Sequence, residues 1–224
     1  MKRILTLFLA VVLLLTAPMA LASCGKNKDI YDDCCSYFET RSTEGRDIKY
    51  VKMKVKNYGT IVLLLDATTA PITVENFLKL VNEGFYNGLT FHRVMSNFMI
   101  QGGDPKANGT GGSDQEIKGE FLYNGWMNDI SHLEGVISMA RSNDYDSASS
   151  QFFICNADAK SSLDYKYAAF GYVISGMSVV HSITNGTVGY ANSESGTIAK
   201  KSKQAVIRSV KEITEEQAMK LVNK

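Results

Sequence analysis

The chain has 224 residues, 45% hydrophobic and 21% charged, an ordinary globular mixture with room for one large domain or two small ones. Three prolines and eighteen glycines exclude collagen-like and proline-rich disordered chains. The formal charge of +1 is unevenly placed: residues 1–23 hold Lys2 and Arg3 and no acid, leaving 22 basic against 23 acidic side chains. That balance provides no polyanion-binding field and excludes nucleic acid as a partner.

In chain order, Lys2 and Arg3 precede an apolar run over 4–15 broken only by Thr6, and Pro18 follows. A basic start, a short apolar core and small residues beyond describe an export signal. The run falls short of the about 20 apolar residues that a membrane span needs. The segment ends in Leu21, Ala22, Ser23 and Cys24, which resembles the bacterial lipobox. That resemblance implies a lipoprotein signal peptide over 1–23, cleavage before Cys24, and lipidation of Cys24 by diacylglycerol and palmitate-type chains. Each buried CH₂ adds ~0.8 kcal/mol to anchoring, so several chains hold firmly. The expected location is the extracytoplasmic face of the bacterial cell membrane. Of the other cysteines, adjacent Cys34 and Cys35 are strained as a pair, and Cys155 in an apolar run reads as a buried thiol.

Residues 24–47 are polar without a sustained period and read as a lipidated tether. At 48–56, Val51, Met53 and Val55 alternate with lysines, the period of a half-buried strand. A turn at 57–59 and a strand at 60–66 make a hairpin. Residues 68–84 switch to helical spacing through Val74, Phe77, Leu78 and Val81, with Pro71 near the start and Gly84 as the stop. Strands follow at 89–94, 98–101, 135–140, 150–154, 168–174 and 205–212, with a second helix at 177–184. Residues 214–224 form a C-terminal tail able to close a short helix at 215–222. Many short strands with few helices favour one antiparallel barrel or sandwich domain over 48–213.

The segment 86–104 carries the chemistry. It places Arg93 on a strand among aromatic, thioether and amide side chains. Alternation puts Phe91 and Arg93 on one strand face and His92 on the other. A cation beside an apolar pocket suits a ligand that is mostly hydrophobic but develops a lone pair or partial negative charge. His92, His132 and His181 read as structural or surface residues. The loop at 109–112 lacks the lysine and spacing of phosphate-binding motifs and reads as a tight turn.

Position after position, the segment resembles the cyclophilin signature. The resemblance continues through Asn108 to Gly112, Gly135 to Arg141, Ser149 to Ile154, and Leu163-Asp164 followed by Phe170-Gly171. It implies a mainly β fold, an eight-stranded antiparallel barrel capped by two α-helices. It also implies cis-trans isomerisation of the bond before proline, with Arg93 as the catalytic cation. Phe98, Met99, Phe153 and Leu163 would line the proline pocket, walled by Tyr167. Gln101, Ala140, Arg141 and Gln151 would contact the substrate. Strict alternation places Phe98 and Met99 on opposite faces, so their joint presence requires a local twist or bulge.

Ser162 stands where many eukaryotic members carry tryptophan, which implies weak inhibition by cyclosporin. Tyr167 replaces a rim histidine, and Arg141 replaces an asparagine. The implied partners are proline-containing segments of unfolded or exported chains, and the membrane through the N-terminal lipid. The protein is expected to act as a monomer and needs neither cofactor nor metal, because no bond to substrate is made. The alternative is a surface-anchored peptide-binding or holdase module that keeps the groove but turns over poorly.

Overall fold

The computed structural model describes residues 43–223, so the signal segment and Cys24, Cys34 and Cys35 lie outside the described residues. The eight strands are β1 (Ile48–Val55), β2 (Gly59–Asp66), β3 (Thr90–Met95), β4 (Met99–Gly102), β5 (Val136–Met139), β6 (Phe152–Cys155), β7 (Ala169–Ser175) and β8 (Ala205–Ile213). They close a barrel in the order β1-β2-β7-β5-β6-β4-β3-β8, every neighbour antiparallel. Closure leaves no free sheet edge. This is the mainly β barrel expected from the sequence.

In β1, alternation sends Val51, Met53 and Val55 into the barrel and leaves Lys52 and Lys54 outside. The interior is closed by a ring cluster: Phe77 packs on Tyr86, Phe152 and Phe170 at centroid distances of 5.0, 5.6 and 5.3 Å. Such tilted and edge-on pairs add to the large apolar area that these rings remove from water.

Helix α1 (Pro71–Asn82) supplies Phe77 from its buried face. Its free N-terminal amides are satisfied from a distance, the buried Glu120 carboxylate accepting the N–H of Ile72 at 3.0 Å and Thr73 at 2.8 Å. A carboxylate there also complements the positive end of the helix. Gly84, at φ +73°, turns the chain out of the helix, and the Phe85 N–H closes back on Leu80 O at 2.9 Å.

A single turn, α2 (Lys160–Leu163), was not foreseen. Helix α3 (Met177–Thr187) runs three residues beyond its expected end. Helix α4 (Glu215–Val222) opens on a capping box of Thr214 and Gln217. Its Ala218 and Val222 are buried, and Ala218 packs with Tyr50, Val62 and Leu64. The C-terminal residues are thus part of the packed domain. At the other end, Arg46 holds Asp66 at 3.0 and 2.6 Å and also donates to Thr69 Oγ1. Residue 46 is therefore tied into the domain, ahead of the expected boundary at 48.

One expectation fails. Phe91 lies in the interior cluster, whereas Arg93 faces outward, so the two do not share a face. The pairing of β3 with β4 steps from Phe91–Gly102 to Arg93–Gln101, which makes His92 the extra residue of a bulge. The bulge resets the alternation.

Candidate active site

Register assembles the site across three strands. Arg93 pairs with Gln101, and Gln101 pairs with Phe153, setting one transverse row on the outer barrel wall. Met99 lies two residues from Gln101 on the same face of β4, directly opposite Cys155. Phe98 reaches that face from the turn before β4, where Asn97 takes φ 56°. Asn156 clamps the turn, accepting the Phe98 N–H at 2.8 Å and donating to Phe98 O at 3.1 Å. The local twist demanded by Phe98 and Met99 is this turn.

Together these residues form a pocket of about 240 Å³. Arg93, Phe98, Met99, Gln101, Ala140, Arg141, Phe153, Leu163 and Tyr167 all line it. Gln151 lies instead in an adjoining, more polar hollow of about 400 Å³ bordered by the glycine-rich loop. The two share Gln101, Gly109, Ala140 and Arg141, so they make one continuous groove. Sequence reasoning missed His92, Gly109 and Thr197 as lining residues.

The Arg93 guanidinium is half-buried and held by three groups. Nε donates to Ser195 O at 2.7 Å, Nη1 donates to Gln101 Oε1 at 3.1 Å, and Nη2 lies 3.2 Å from Met95 Sδ. None of these is a carboxylate, so its charge is oriented without being neutralised by them. Burial lowers its pKa from the ordinary value, and the neighbouring Tyr167 opposes that shift. Gln101 is fixed in turn by donating to Gln151 Oε1 at 2.8 Å, and Gln151 donates to Gly111 O at 2.6 Å. The groove floor is thus a hydrogen-bonded chain from arginine to loop.

That loop is built on the buried Asp104. Burial raises its pKa, but backbone N–H groups of Asn108, Lys106, Gly109 and Gly111 bring it below the usual carboxylate range. A Cβ at Gly111 would stand 2.1 Å from Asp104 Oδ1, so only glycine fits there.

Arg141 borders both hollows and is tied to the chain around it. Its guanidinium donates to Lys166 O, at 3.0 and 2.9 Å, and to Ser142 O at 2.8 Å. It also sits 5.1, 4.8 and 4.7 Å from the ring centroids of Phe121, Tyr145 and Tyr167. With three of its N–H groups engaged at close range and its face among aromatic rings, it braces the wall that it borders.

Behind Phe153 runs a second, unforeseen chain. His132 meets Asp164 Oδ1 through Nδ1 at 2.8 Å and Ser138 Oγ through Nε2 at 3.0 Å. Its ring stacks on Phe153 at 6.0 Å. Ser138 is fully buried, so the arrangement cannot present a nucleophile. It holds the imidazole flat against the pocket floor. Ser138 and Asp164 both lie in motifs quoted above, but no spacing rule joins them to His132. Of the other histidines, His181 is half-exposed and meets Glu134 at 2.8 Å, whereas His92 is buried beside the groove.

Both buried histidines carry a consequence for stability. Burial lowers the pKa of His132, with Asp164 opposing, and lowers that of His92, with Asp104 opposing. The unfolded chain therefore takes up protons below its own pKa of ~6.5 that the fold refuses. Stability is full above that pH and declines as pH falls below it. The expected result is a Tm that is level from pH 8 to 7 and drops steadily from 6.5 to 5. The lowered carboxylates Asp104 and Asp164 contribute at lower pH, below their ordinary range. Calorimetry with a level profile down to pH 5 would contradict the neutral state assigned to both rings.

The family model described as "Cyclophilin type peptidyl-prolyl cis-trans isomerase/CLD" matches residues 50–212. A peptidyl-prolyl cis-trans isomerase of Helicobacter pylori is 40% identical over 153 residues, covering 67% of this chain and 90% of that protein. Peptidyl-prolyl cis-trans isomerase A of Dickeya dadantii is 43% identical over 130 residues, covering 56% and 66% of the two chains. The crystal structure of a cyclophilin type peptidyl-prolyl cis-trans isomerase from Cryptosporidium parvum has a TM-score of 0.65 at 24% identity. It covers 75% of this chain and 99% of that one, a likeness of fold.

Proposed function

From a chain that belongs to the cyclophilin-type peptidyl-prolyl cis-trans isomerase family, we propose an enzyme whose catalytic group is Arg93 and which works outside the cell membrane, anchored by lipid at Cys24. The reaction is rotation about the bond before proline. The observation that carries the site is the Arg93 guanidinium, oriented by a carbonyl and an amide at the mouth of an aromatic pocket.

Rotation breaks amide resonance at ~18–20 kcal/mol. In the twisted state the proline nitrogen regains a localised lone pair that accepts a hydrogen bond refused by the planar imide. Arg93 donates to that state preferentially, so its effect falls on the barrier rather than on binding alone. Being preorganised, it does not have to reorient as the charge shifts. Phe98, Met99, Phe153 and Leu163 grip the pyrrolidine ring, with Tyr167 as a wall. Gln101 keeps the guanidinium in place and presents its amide to the substrate backbone, while Ala140 and Gln151 border the groove where the chain continues.

The substrates are proline-containing segments of exported proteins as they fold. The basic start, short apolar core and cysteine at residue 24 support export and lipidation. Expressed with its signal in a bacterium fed labelled palmitate, the protein is expected to carry label and to sediment with membranes. Cys24→Ser should abolish both while the isolated domain keeps its isomerase activity. Label retained in that variant would remove Cys24 as the anchor.

A further inference from the structure

Beyond the proline pocket, one surface is left apolar without an internal reason. Leu122 and Tyr123, in a short 3₁₀ turn, are 43% and 57% exposed, Tyr165 is 55% exposed and Tyr145 is 38% exposed. They are neighbours: the Tyr123 N–H donates to Tyr165 O at 3.0 Å, and Tyr145 packs edge-on to Phe121, the residue before Leu122, at 5.2 Å. The patch is also continuous with the active groove. The Arg141 guanidinium lies 4.7 Å from the ring of Tyr167, which walls the pocket, and 4.8 Å from that of Tyr145.

Tyr165 supplies a second, independent observation. Its φ of 69° lies in the left-handed region, which disfavours a side chain as bulky as tyrosine. The strain is maintained by the Tyr123 bond on Tyr165 O and by Arg141 on the next carbonyl, Lys166 O. A glycine would fit this backbone without strain. The fold instead keeps a ring there and points it at solvent, as strained positions at binding surfaces do.

We propose that Leu122, Tyr123, Tyr145 and Tyr165 form an apolar extension of the substrate groove that takes an aromatic or large aliphatic side chain of the same unfolded polypeptide whose proline occupies the pocket. The inference rests on the isomerase reading and adds a preference in its substrate. The rings on either side of Arg141 are close enough that roughly three extended residues, at about 3.3 Å each, reach from pocket to patch. A tetrapeptide with Ala-Pro at its centre has at most two residues on either side of proline and leaves the patch empty, while an unfolded chain covers it. Apolar contact there lowers KM for long substrates and holds a client through several rotations.

The test compares a tetrapeptide containing Ala-Pro with twelve-residue peptides bearing one Ala-Pro and either phenylalanine or alanine three and four residues to each side. In the parent the phenylalanine peptide is expected to show a KM about tenfold below its alanine counterpart. Tyr165→Gly, which relieves the positive φ and so keeps the fold, and Leu122→Ser with Tyr123→Ser should each erase most of that advantage. Their tetrapeptide kcat/KM should stay within about twofold of the parent, since none of the three residues lines the pocket. Equal KM for the two long peptides in the parent overturns the extension, as does an advantage retained by both variants. A parent that dimerises through the patch, with the dimer lost in the variants, overturns it in favour of a second copy. Tetrapeptide activity absent from the parent would defeat the isomerase reading itself, a failure visible before any long peptide is used.

Discussion

Arg93→Ala is expected to lower kcat/KM for an Ala-Pro tetrapeptide by about a hundredfold to a thousandfold, the range for one preorganised donor. Most of that loss should appear in kcat, because the hydrogen bond forms only as the imide twists. The fold should tolerate the change. Ser195 is exposed and Gln101 is half-buried at the groove, so the two acceptors that Arg93 vacates can turn to water. Tm is therefore expected to move by a few degrees at most. Arg93→Lys is the informative companion. It keeps the charge but cannot reach Ser195 O and Gln101 Oε1 together from a planar fork, so it should recover only part of the activity. Exchange spectroscopy on the tetrapeptide measures all three proteins under one condition. Equal rates in parent and Arg93→Ala would remove the arginine from the mechanism, whatever the pocket does.

The same residue shows how far the sequence reached. The eight strands were legible because each has its own alternation or apolar run between glycine, asparagine or proline signals, as at 57–59 between β1 and β2. Their closure into a barrel was not written in periodicity; it depends on β1 finding β8 across more than 150 residues, and the family resemblance supplied it. Alternation then misplaced Phe91 against Arg93, since one extra residue at His92 resets parity and leaves no mark in composition. It also left Phe98 and Met99 unreconciled, because the device that unites them is a turn with Asn97 left-handed and Phe98 clamped by Asn156, far along the chain. The bracing of Arg141 was equally illegible, because its partners Phe121, Tyr145 and Lys166 come from three separate loops. Short-range pattern predicts which face a side chain takes only while the register is unbroken, and it says nothing of the partners that side chain meets.

The His132 chain raises the second large prediction, on Phe153. This ring is almost fully buried as the floor of the proposed proline pocket. It is stacked on His132 at 6.0 Å and meets Tyr167 edge-on at 5.9 Å. It belongs to a small cluster with Met99, Cys155 and Leu163 on the outer wall, separate from the barrel interior. Phe153→Ala is expected to cost ~3 kcal/mol of stability, at the low end for an aromatic truncation, because the cavity opens towards the groove. Losing the surface against which the pyrrolidine ring packs removes about 1.5–3 kcal/mol of apolar contact, a tenfold to hundredfold rise in KM. Phe153→Leu keeps most of the volume and the fold but not the flat wall, so it should retain stability while still raising KM several-fold. The change also acts on His132. With the ring gone, solvent reaches the imidazole, desolvation relaxes, and its pKa moves back towards 6.5. The decline of Tm between pH 6.5 and 5 should therefore be shallower in Phe153→Ala than in the parent. Two axes separate this residue from Arg93: one acts through KM and the acid slope of stability, the other mainly through kcat. A Phe153→Leu protein with unchanged KM would mean that proline binds elsewhere in the groove. An unaltered acid slope in Phe153→Ala would mean that the ring does not shield His132.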